Sequence, residues 1–291
     1  MTLYDDGSPE RLWHYTSGSG AKGIFESRTL WAGHLGYMSD TSEVGHAMSI
    51  SREVVERLKR ELSEHQGALQ RWTQYVTDNP PKSWAPNVFA VSFSEVPDLL
   101  SQWRGYATGA CGPFCIGFLS AMLRERIDSA TLRAQGLVGW TLRKCIYSRH
   151  EQAELIEARI RQGLDLAANR EVLPLGQTRE DLAWHYIFDA VMGVAPLCKH
   201  PTFVEEREWR LLFGPTPVTK VERVHFVERR HTLAPYIEFR LAEGDNVLDH
   251  IQWIAGPGPQ QDRANSALGM VAQIAGMTRY QGMPSQTPYL P

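Results

Sequence analysis

Acidic residues lead into an apolar, strand-like segment at residues 203–213, and their spacing could place carboxylates in a cleft. Glu206 and Glu208 are two positions apart, so on a strand both side chains project from the same face, whereas Glu205 faces the other way. A carboxylate held at the entrance of a strand is well placed to stabilise positive charge that develops in a transition state. The alternative interpretation is an edge strand with solvated charges.

Two earlier segments carry polar residues on short β-prone runs and could supply partners for these carboxylates. The segments are His14-Tyr15-Thr16 and Ser92-Phe93-Ser94. The imidazole of His14 could exchange a hydrogen bond with a ligand, or it could be a satisfied histidine held between two aromatic neighbours. Ser92 and Ser94 share one strand face, and isolated serines of this kind are as compatible with a structural role. The three segments therefore gain significance only as a set.

A further group of candidate residues combines aromatic rings with cations. Trp103, Arg104 and Tyr106 follow the Ser94 strand, where a ring could stack on a flat ligand and an arginine could pair with a phosphate. A core anchor beside a surface ion pair explains the same residues. Arg210 lies two positions after Glu208, so it either keeps that carboxylate ionised or binds a phosphate. The upstream pair Lys199-His200 is typical of solvated surface.

Composition indicates an ordinary globular protein. Of the 291 residues, 43% are hydrophobic and 22% are charged. The net charge of -3 and the pI near 6.4 argue against a broad nucleic-acid-binding surface, although Arg143-Lys144 could line a local basic groove. No apolar run approaches the roughly 20 residues of a membrane span, and the first residues lack the pattern of a signal peptide. We therefore expect a cytoplasmic protein with no membrane partner.

The cysteines and acidic residues give little support for a bound metal. Cys111 and Cys115 are four positions apart, but no His or Cys pair at zinc-finger spacing completes a ligand set. Asp40 and Glu43 lie near the start of a predicted helix, where carboxylates are favoured for their interaction with the helix dipole. We predict reduced thiols and no metal site.

Strand-like and helical patterns follow one another without strict alternation, which predicts an α+β fold in one domain spanning residues 1–291. Core strands are expected within about 12–32, 87–118, 140–147 and 207–257, with helical insertions at about 42–76 and 152–195. The first insertion ends at Asn79-Pro80-Pro81 and could break near Gly67. No glycine-rich phosphate motif follows a strand, so a Rossmann or P-loop fold has no support.

From about residue 12 to residue 289, the chain resembles a widespread bacterial family catalogued as domain of unknown function 2971. The resemblance rests on His14-Tyr15-Thr16, Leu30-Trp31-Ala32, the loop from Asp40 to Glu43, residues 88–94, Trp103-Arg104-x-Tyr106, residues 112–118, Lys199-His200, residues 206–210 and Ile254-Ala255-Gly256-Pro257. The loop departs from the family pattern Asn-Asp-Pro-x-Glu, because Ser39-Asp40-Thr41-Ser42-Glu43 lacks the helix-starting proline while it keeps both acidic positions.

The order of the three polar segments is also similar to the signature elements of ADP-ribosyltransferases. In those enzymes a first strand offers His or Arg, a middle strand carries Ser-x-Ser, and a later strand begins with a catalytic glutamate. The resemblance implies a split mixed/antiparallel sheet with helical insertions, NAD as substrate, Glu208 as the catalytic carboxylate, and Glu206 as the residue that orients or deprotonates the acceptor. It implies an NAD site formed by His14, Tyr15, Thr16, Ser92, Ser94, Trp103, Arg104, Tyr106 and Arg210, with the imidazole across the pocket from Glu208.

Three classes of function follow from these observations. The first is an ADP-ribosyltransferase or related NAD-cleaving enzyme acting on a protein, a nucleic acid or water. The family's wider relatives associate such an activity with toxins and phage-defence effectors, and an antitoxin or regulatory partner could accompany it. The second is a non-catalytic module that binds a nucleotide or a partner. The third is a metal-dependent hydrolase or nuclease built on His14, Asp40, Glu43 and Glu208.

Overall fold

The computed structural model describes residues 7–38, 42–79, 88–106, 112–127, 139–214, 224–229, 232–242 and 248–288. Its strands are β1 Arg11–Ser17, β2 Thr29–His34, β3 Phe89–Ser94, β4 Pro113–Leu119, β5 Thr141–Lys144, β6 Glu208–Phe213, β7 His225–Arg229, β8 Thr232–Arg240, β9 Ile251–Ala255 and β10 Tyr280–Pro284. Its helices are α1 Gly18–Ser27, α2 Ser42–Glu61, α3 Gln66–Asp78, α4 Leu100–Tyr106, α5 Ser120–Ile127, α6 Arg149–Ala168, α7 Arg179–Val194 and α8 Gln261–Ile274.

The strands form one mixed sheet of ten strands, in the order β10-β9-β4-β1-β3-β2-β8-β7, and β6 pairs with both β3 and β5. The β9–β10 pair is parallel, whereas the other pairs are antiparallel. The predicted α+β class with a mixed sheet is therefore confirmed. The prediction of a single domain stays a prediction.

The sheet divides beside β3. One edge of β3 pairs with β6 along its whole length, from Phe89↔Phe213 to Ser94↔Glu208. The other edge is shared, because Gly33 and His34 of β2 pair with its beginning and Trp13 of β1 pairs with Ser94 at its end. Strands β1 and β2 therefore separate beside the middle of β3, and α1 connects them.

Hydrophobic cores form both on the sheet and among the helical insertions. One face of β1, β3, β4 and β6 buries apolar side chains such as Phe93, Ile116 and Leu211 in a cluster shared with α1 and α8. Helices α2, α3, α6 and α7 enclose a second core, in which Val54, Val55 and Leu58 are buried as their helical spacing predicts. The second core explains why the helical insertions are ordered, since each helix alone would expose an apolar stripe.

The helical insertions differ in detail from the prediction. The segment predicted as one helix at 42–76 contains two helices, because Leu62 leaves the helical conformation (φ -116°, ψ 79°) before the short 3₁₀ turn Ser63–His65. The break thus precedes Gly67, and α2 and α3 pack against each other. The second insertion is also a helix pair, and α7 begins with a reciprocal capping box between Thr178 and Asp181. Among the described residues, none of the helices combines the length and apolarity that crossing a membrane requires.

Some predicted strand boundaries also shift. The strand expected at 140–147 covers only Thr141–Lys144, while Ile146 makes an isolated bridge to Cys198. Within the strand-rich range expected at 207–257, β7 covers His225–Arg229, and residues 215–223 lie outside the described part of the chain. These shifts leave β3 and β6, which carry the candidate site, at their predicted positions.

Candidate functional site

The strand register aligns three candidate positions across the sheet. Trp13 of β1 pairs with Ser94 of β3, and Ser94 pairs with Glu208 of β6. Because paired residues of antiparallel strands project from the same face, the side chains of Trp13, Ser94 and Glu208 lie on one face of the sheet. We call it the Glu208 face, and it also carries Arg210 and Ser92.

The carboxylate of Glu208 is buried in a network of ion pairs. Its Oε1 accepts a hydrogen bond from Arg210 Nε at 2.8 Å, and its Oε2 accepts from Arg210 Nη2 at 3.0 Å and from Lys199 Nζ at 2.5 Å. Lys199 Nζ also donates to Glu206 Oε2 at 2.6 Å, and Arg210 Nη1 donates to the carbonyl oxygen of Pro196 at 2.7 Å. Glu208 is only 4% exposed, so these bonds replace its hydration.

Local backbone structure brings the two carboxylates to the same lysine. The 3₁₀ segment Pro201–Glu206 ends at Arg207, whose left-handed conformation (φ 41°) turns the chain into β6. Ser94 fixes this turn, because its Oγ donates to the carbonyl oxygen of Glu206 at 2.6 Å and accepts from the amide of Val96 at 3.0 Å. The amide of Glu208 donates to the hydroxyl oxygen of Tyr147 at 2.8 Å. Ser94 therefore supports the strand entrance through the backbone.

The burial of ionised Glu208 should make the free energy of unfolding depend on pH in the acid range. Burial alone would raise the pKa of its carboxyl, but the charges and hydrogen bonds of Arg210 and Lys199 outweigh burial and hold that pKa at about 2, against an ordinary value of 4.5. The unfolded chain binds the proton more tightly, so this stabilisation is complete above pH 4.5 and is lost as the pH falls towards 2. Urea unfolding between pH 2 and pH 4.5 should show a free energy of unfolding that changes less with pH in Glu208→Gln than in the wild type. The same pH dependence in both proteins would contradict the low pKa of Glu208.

His14 does not share a pocket with Glu208, which corrects the expected arrangement. His14 follows Trp13 on β1, so its side chain projects from the face opposite to Glu208. Its ring lies 5.8 Å from the ring of Phe93, which belongs to the core on that face. Nδ1 lies 2.9 Å from the carbonyl oxygen of Ser92, so it carries the proton and donates to that oxygen. Burial lowers the pKa of His14, and the bond to Ser92 opposes the shift. A one-residue change of register would have reversed this face.

Tyr15, predicted to line the NAD site, and Trp103, for which the sequence leaves ligand stacking and a core anchor both open, form part of one core. The hydroxyl of Tyr15 donates to the carbonyl oxygen of Val96 and accepts from the amide of Leu99, both at 2.9 Å. The Trp103 ring meets the Tyr15 ring edge-on at 5.0 Å, and its Nε1 donates to Asp98 Oδ1 at 2.7 Å. Trp103 is fully buried, so neither of its ring faces can receive a ligand.

The remaining predicted cofactor residues are dispersed. Thr16 lies on the His14 side of β1, opposite Phe114, and Ser92 is half-buried on the Glu208 face. Arg104 is exposed on α4, and Tyr106 is the last residue of that helix. The structure therefore brings together Glu206, Glu208, Arg210 and Ser94, but not His14, Tyr15 or Trp103.

The sequence interpretation missed Lys199. A basic pair before an acidic strand predicts solvated surface, but Lys199 is only 7% exposed and binds both glutamates. The buried side chain of Gln152 also holds this segment, because its Nε2 donates to the carbonyl oxygens of Lys199 and Ile146. The spacing of Glu208 and Arg210 predicted one cation of the network, but nothing in the sequence identifies Lys199 as the second.

The structure separates two of the residues proposed for a metal-dependent hydrolase. His14 and Glu208 project from opposite faces; Asp40 lies outside the described residues, and Glu43 stands in the first turn of α2. In the described ranges, no three His, Cys, Asp or Glu side chains are arranged to hold a metal ion. Cys115, Cys145 and Cys198 are buried, whereas Cys111 lies outside the described part of the chain.

Comparison with known proteins finds a match for the central part of the chain. No curated protein and no solved structure matches it. The matched segment runs from α4 to β6 and includes Lys199, Glu206, Glu208 and Arg210, the residues of the buried ion-pair network. Residues 102–211 match the family described as protein of unknown function (DUF2971).

Proposed function

We propose that the protein cleaves the nicotinamide–ribose bond of NAD and transfers ADP-ribose to an acceptor, as ADP-ribosyltransferases do. The observation that carries the proposal is the pairing of Trp13 with Ser94 and of Ser94 with Glu208. It shows that the strands with the three polar segments lie side by side where the sheet divides. The ionised state of Glu208 adds support, since the reaction needs a carboxylate at neutral pH. The imidazole of His14 has no part in this version of the site.

The chemistry follows that of glycoside cleavage. As the bond from the ribose carbon to nicotinamide breaks, its electron pair leaves with nicotinamide and the ribose acquires oxocarbenium character. A fixed carboxylate stabilises this charge more strongly in the transition state than in the substrate. The acceptor then forms a bond to the same carbon and loses its proton, for which Glu206 is the available base. Glu206 is more exposed than Glu208, with a side chain that is 20% accessible.

The ion pairs of Glu208 require that one cation leaves its carboxylate before substrate can bind there. Both oxygens of Glu208 are bound by cations, so a ribose hydroxyl must replace one of them. Lys199 is the group that can yield, because it keeps a second carboxylate partner in Glu206 when it leaves Glu208 Oε2. Arg210 binds both oxygens of Glu208 and the carbonyl oxygen of Pro196, so it remains in place. We infer that substrate binding moves Lys199 towards Glu206.

The test is nicotinamide release from NAD, followed by mass spectrometry with purified protein in the presence and absence of cell lysate. We expect release by the wild type, and a decrease of about 10²–10³-fold in Glu208→Gln, because the charge is lost while the shape is kept. Glu205→Gln is the matched control, since Glu205 is an exposed neighbour, and it should retain full activity. Thermal melting must show that each variant is folded. Normal turnover by Glu208→Gln would overturn the assignment.

The same variant pair extends the test to cells. If the protein acts as a toxin or phage-defence effector, expression should arrest a host, and Glu208→Gln should abolish the arrest while Glu205→Gln does not. A neutralising partner would then be sought by its ability to suppress the wild-type effect. The acceptor would be found as the component of the lysate that gains the mass of ADP-ribose.

A non-catalytic binding module is the second candidate, and the burial of Glu208 favours it. A carboxylate that is 4% exposed and shared by two cations has the properties of a structural ion pair. This class predicts that the wild type releases no nicotinamide with or without lysate. The absence of release would therefore decide for binding over cleavage.

A further inference from the structure

Three aromatic rings on the neighbouring strands β2, β8 and β7 form a stack outside the site described above. Trp31 of β2 lies parallel to Tyr236 of β8, with ring centroids 4.2 Å apart and planes inclined by 25°. Tyr236 is stacked in turn with His225 of β7 at 5.3 Å and 27°. Both faces of Tyr236 are therefore covered, whereas Trp31 ends the stack and is 51% exposed.

The open face of Trp31 is bordered by polar groups of defined chemistry. Trp31 pairs with Glu238, so its two diagonal neighbours on β8 are Tyr236 and Arg240, on the same face of the sheet. Tyr236 covers one side of the indole, and Arg240 is the diagonal neighbour in the opposite direction along β8. Within the described ranges, the side chains of Glu238 and Arg240 form neither an ion pair nor a hydrogen bond. A carboxylate and a guanidinium thus stand beside an exposed ring with their bonding capacity unused.

This combination fits the three parts of a nucleotide. An exposed indole whose position is fixed by a second ring is a stacking surface for a base. A carboxylate accepts hydrogen bonds from ribose hydroxyls, and a guanidinium binds phosphate in a bidentate manner. We propose that Trp31, Glu238 and Arg240 form a nucleotide-binding site, with the base on Trp31, the ribose at Glu238 and a phosphate at Arg240.

The position of this site relates it to the proposed reaction. The pair Gly33↔Ala90 places Trp31, two residues before Gly33, on the same face of the sheet as Ser92, Ser94 and Glu208. Trp31 also lies on the part of β2 that has separated from β3, since only Gly33 and His34 pair with that strand. The identification of the nucleotide as the adenosine half of NAD rests on the proposed function, whereas the binding of a nucleotide does not.

Calorimetric titration with AMP and adenosine tests the site without any cleavage step, because neither compound contains a nicotinamide–ribose bond. We expect the wild type to bind both ligands, AMP more tightly. Trp31→Ala should weaken both by roughly ten-fold or more, and Trp31→Phe should recover part of the loss. Arg240→Gln should remove the advantage of AMP and leave adenosine unchanged. Phe226→Ala is the matched control, since Phe226 is an exposed aromatic residue of the neighbouring strand that projects from the other face.

The outcomes separate this site from the proposed function. No binding of AMP by the folded wild type at millimolar concentration, or equal affinity in Trp31→Ala, would overturn the site. If AMP binds as expected but NAD is never cleaved, the site stands and the proposed reaction fails. If NAD is cleaved and Trp31→Ala leaves the KM for NAD unchanged, the reaction stands and the site fails.

Discussion

Replacing Arg210 with methionine is expected to lower the free energy of unfolding by about 3–5 kcal/mol. The guanidinium is buried, with 2% exposure, and it makes two hydrogen bonds to Glu208 and one to the carbonyl oxygen of Pro196. Methionine fills a similar volume but leaves Glu208 with Lys199 as its single cation. A buried carboxylate that loses a partner costs far more than an exposed ion pair contributes, because water cannot replace the lost bonds.

Urea denaturation followed by circular dichroism measures this effect. Arg143→Met is the matched control, since Arg143 pairs with Arg210 across β5 and β6 but is exposed, and it should change stability by no more than about 0.5 kcal/mol. The double variant Glu208→Gln, Arg210→Met should recover part of the loss, because the unpaired charge is then removed as well. Equal stabilities of Arg210→Met and Arg143→Met would show that the network contributes nothing to folding.

Replacing Trp103 with alanine is expected to destabilise the protein by about 3–5 kcal/mol. The indole is fully buried, contacts the Tyr15 ring edge-on and donates to Asp98. The substitution therefore removes a large apolar group and leaves a cavity beside β1 and β4. The prediction distinguishes a core residue from a ligand-stacking one, because the latter would be exposed in the absence of ligand and would cost little stability.

Two further variants separate the contributions of Trp103. Trp103→Phe keeps an aromatic ring and loses the hydrogen bond to Asp98, so its loss should be smaller. Trp31→Ala makes the same substitution at an exposed indole and should cost about 1 kcal/mol through the lost stacking on Tyr236. Thermal melting of the three variants gives the comparison. A small loss in Trp103→Ala with normal folding would return Trp103 to the set of candidate ligand contacts.

The strands that carry the site could be predicted because their signals are local. Residues 87–94 and 209–213 are short runs of apolar and β-branched or aromatic residues, and β3 and β6 occupy these positions. The apolar spacing of Val54, Val55 and Leu58 likewise predicted one buried side of α2. Gly67 suggested a break nearby, but its position at Leu62 could not be predicted, because the pattern on both sides suits a helix and the packing of α2 on α3 selects the turn.

The candidate site could be predicted only in part, since its geometry depends on relations between distant strands. The side of the sheet that His14 occupies follows from the register of β1 on β3, and a shift of one residue would reverse it. The role of Lys199 depends on the 3₁₀ segment that returns Glu206 and Glu208 to it. Trp103 illustrates the same limit, because an aromatic residue beside an arginine has one sequence pattern whether it anchors a core or meets a ligand.

The division of the sheet beside β3 has a consequence for how the chain folds. Pairs such as Thr29↔Arg240 and Phe114↔Ala255 join segments that are far apart in sequence, so forming them requires closing long loops at a high cost in chain entropy. The contacts of α2 with α3 and of α6 with α7 are local in sequence. We therefore expect these helix pairs to form before the sheet is complete, while β2 and β4 still lack their partners β8 and β9, which are synthesised last. During that interval the apolar edges of the unfinished sheet would be accessible to chaperones.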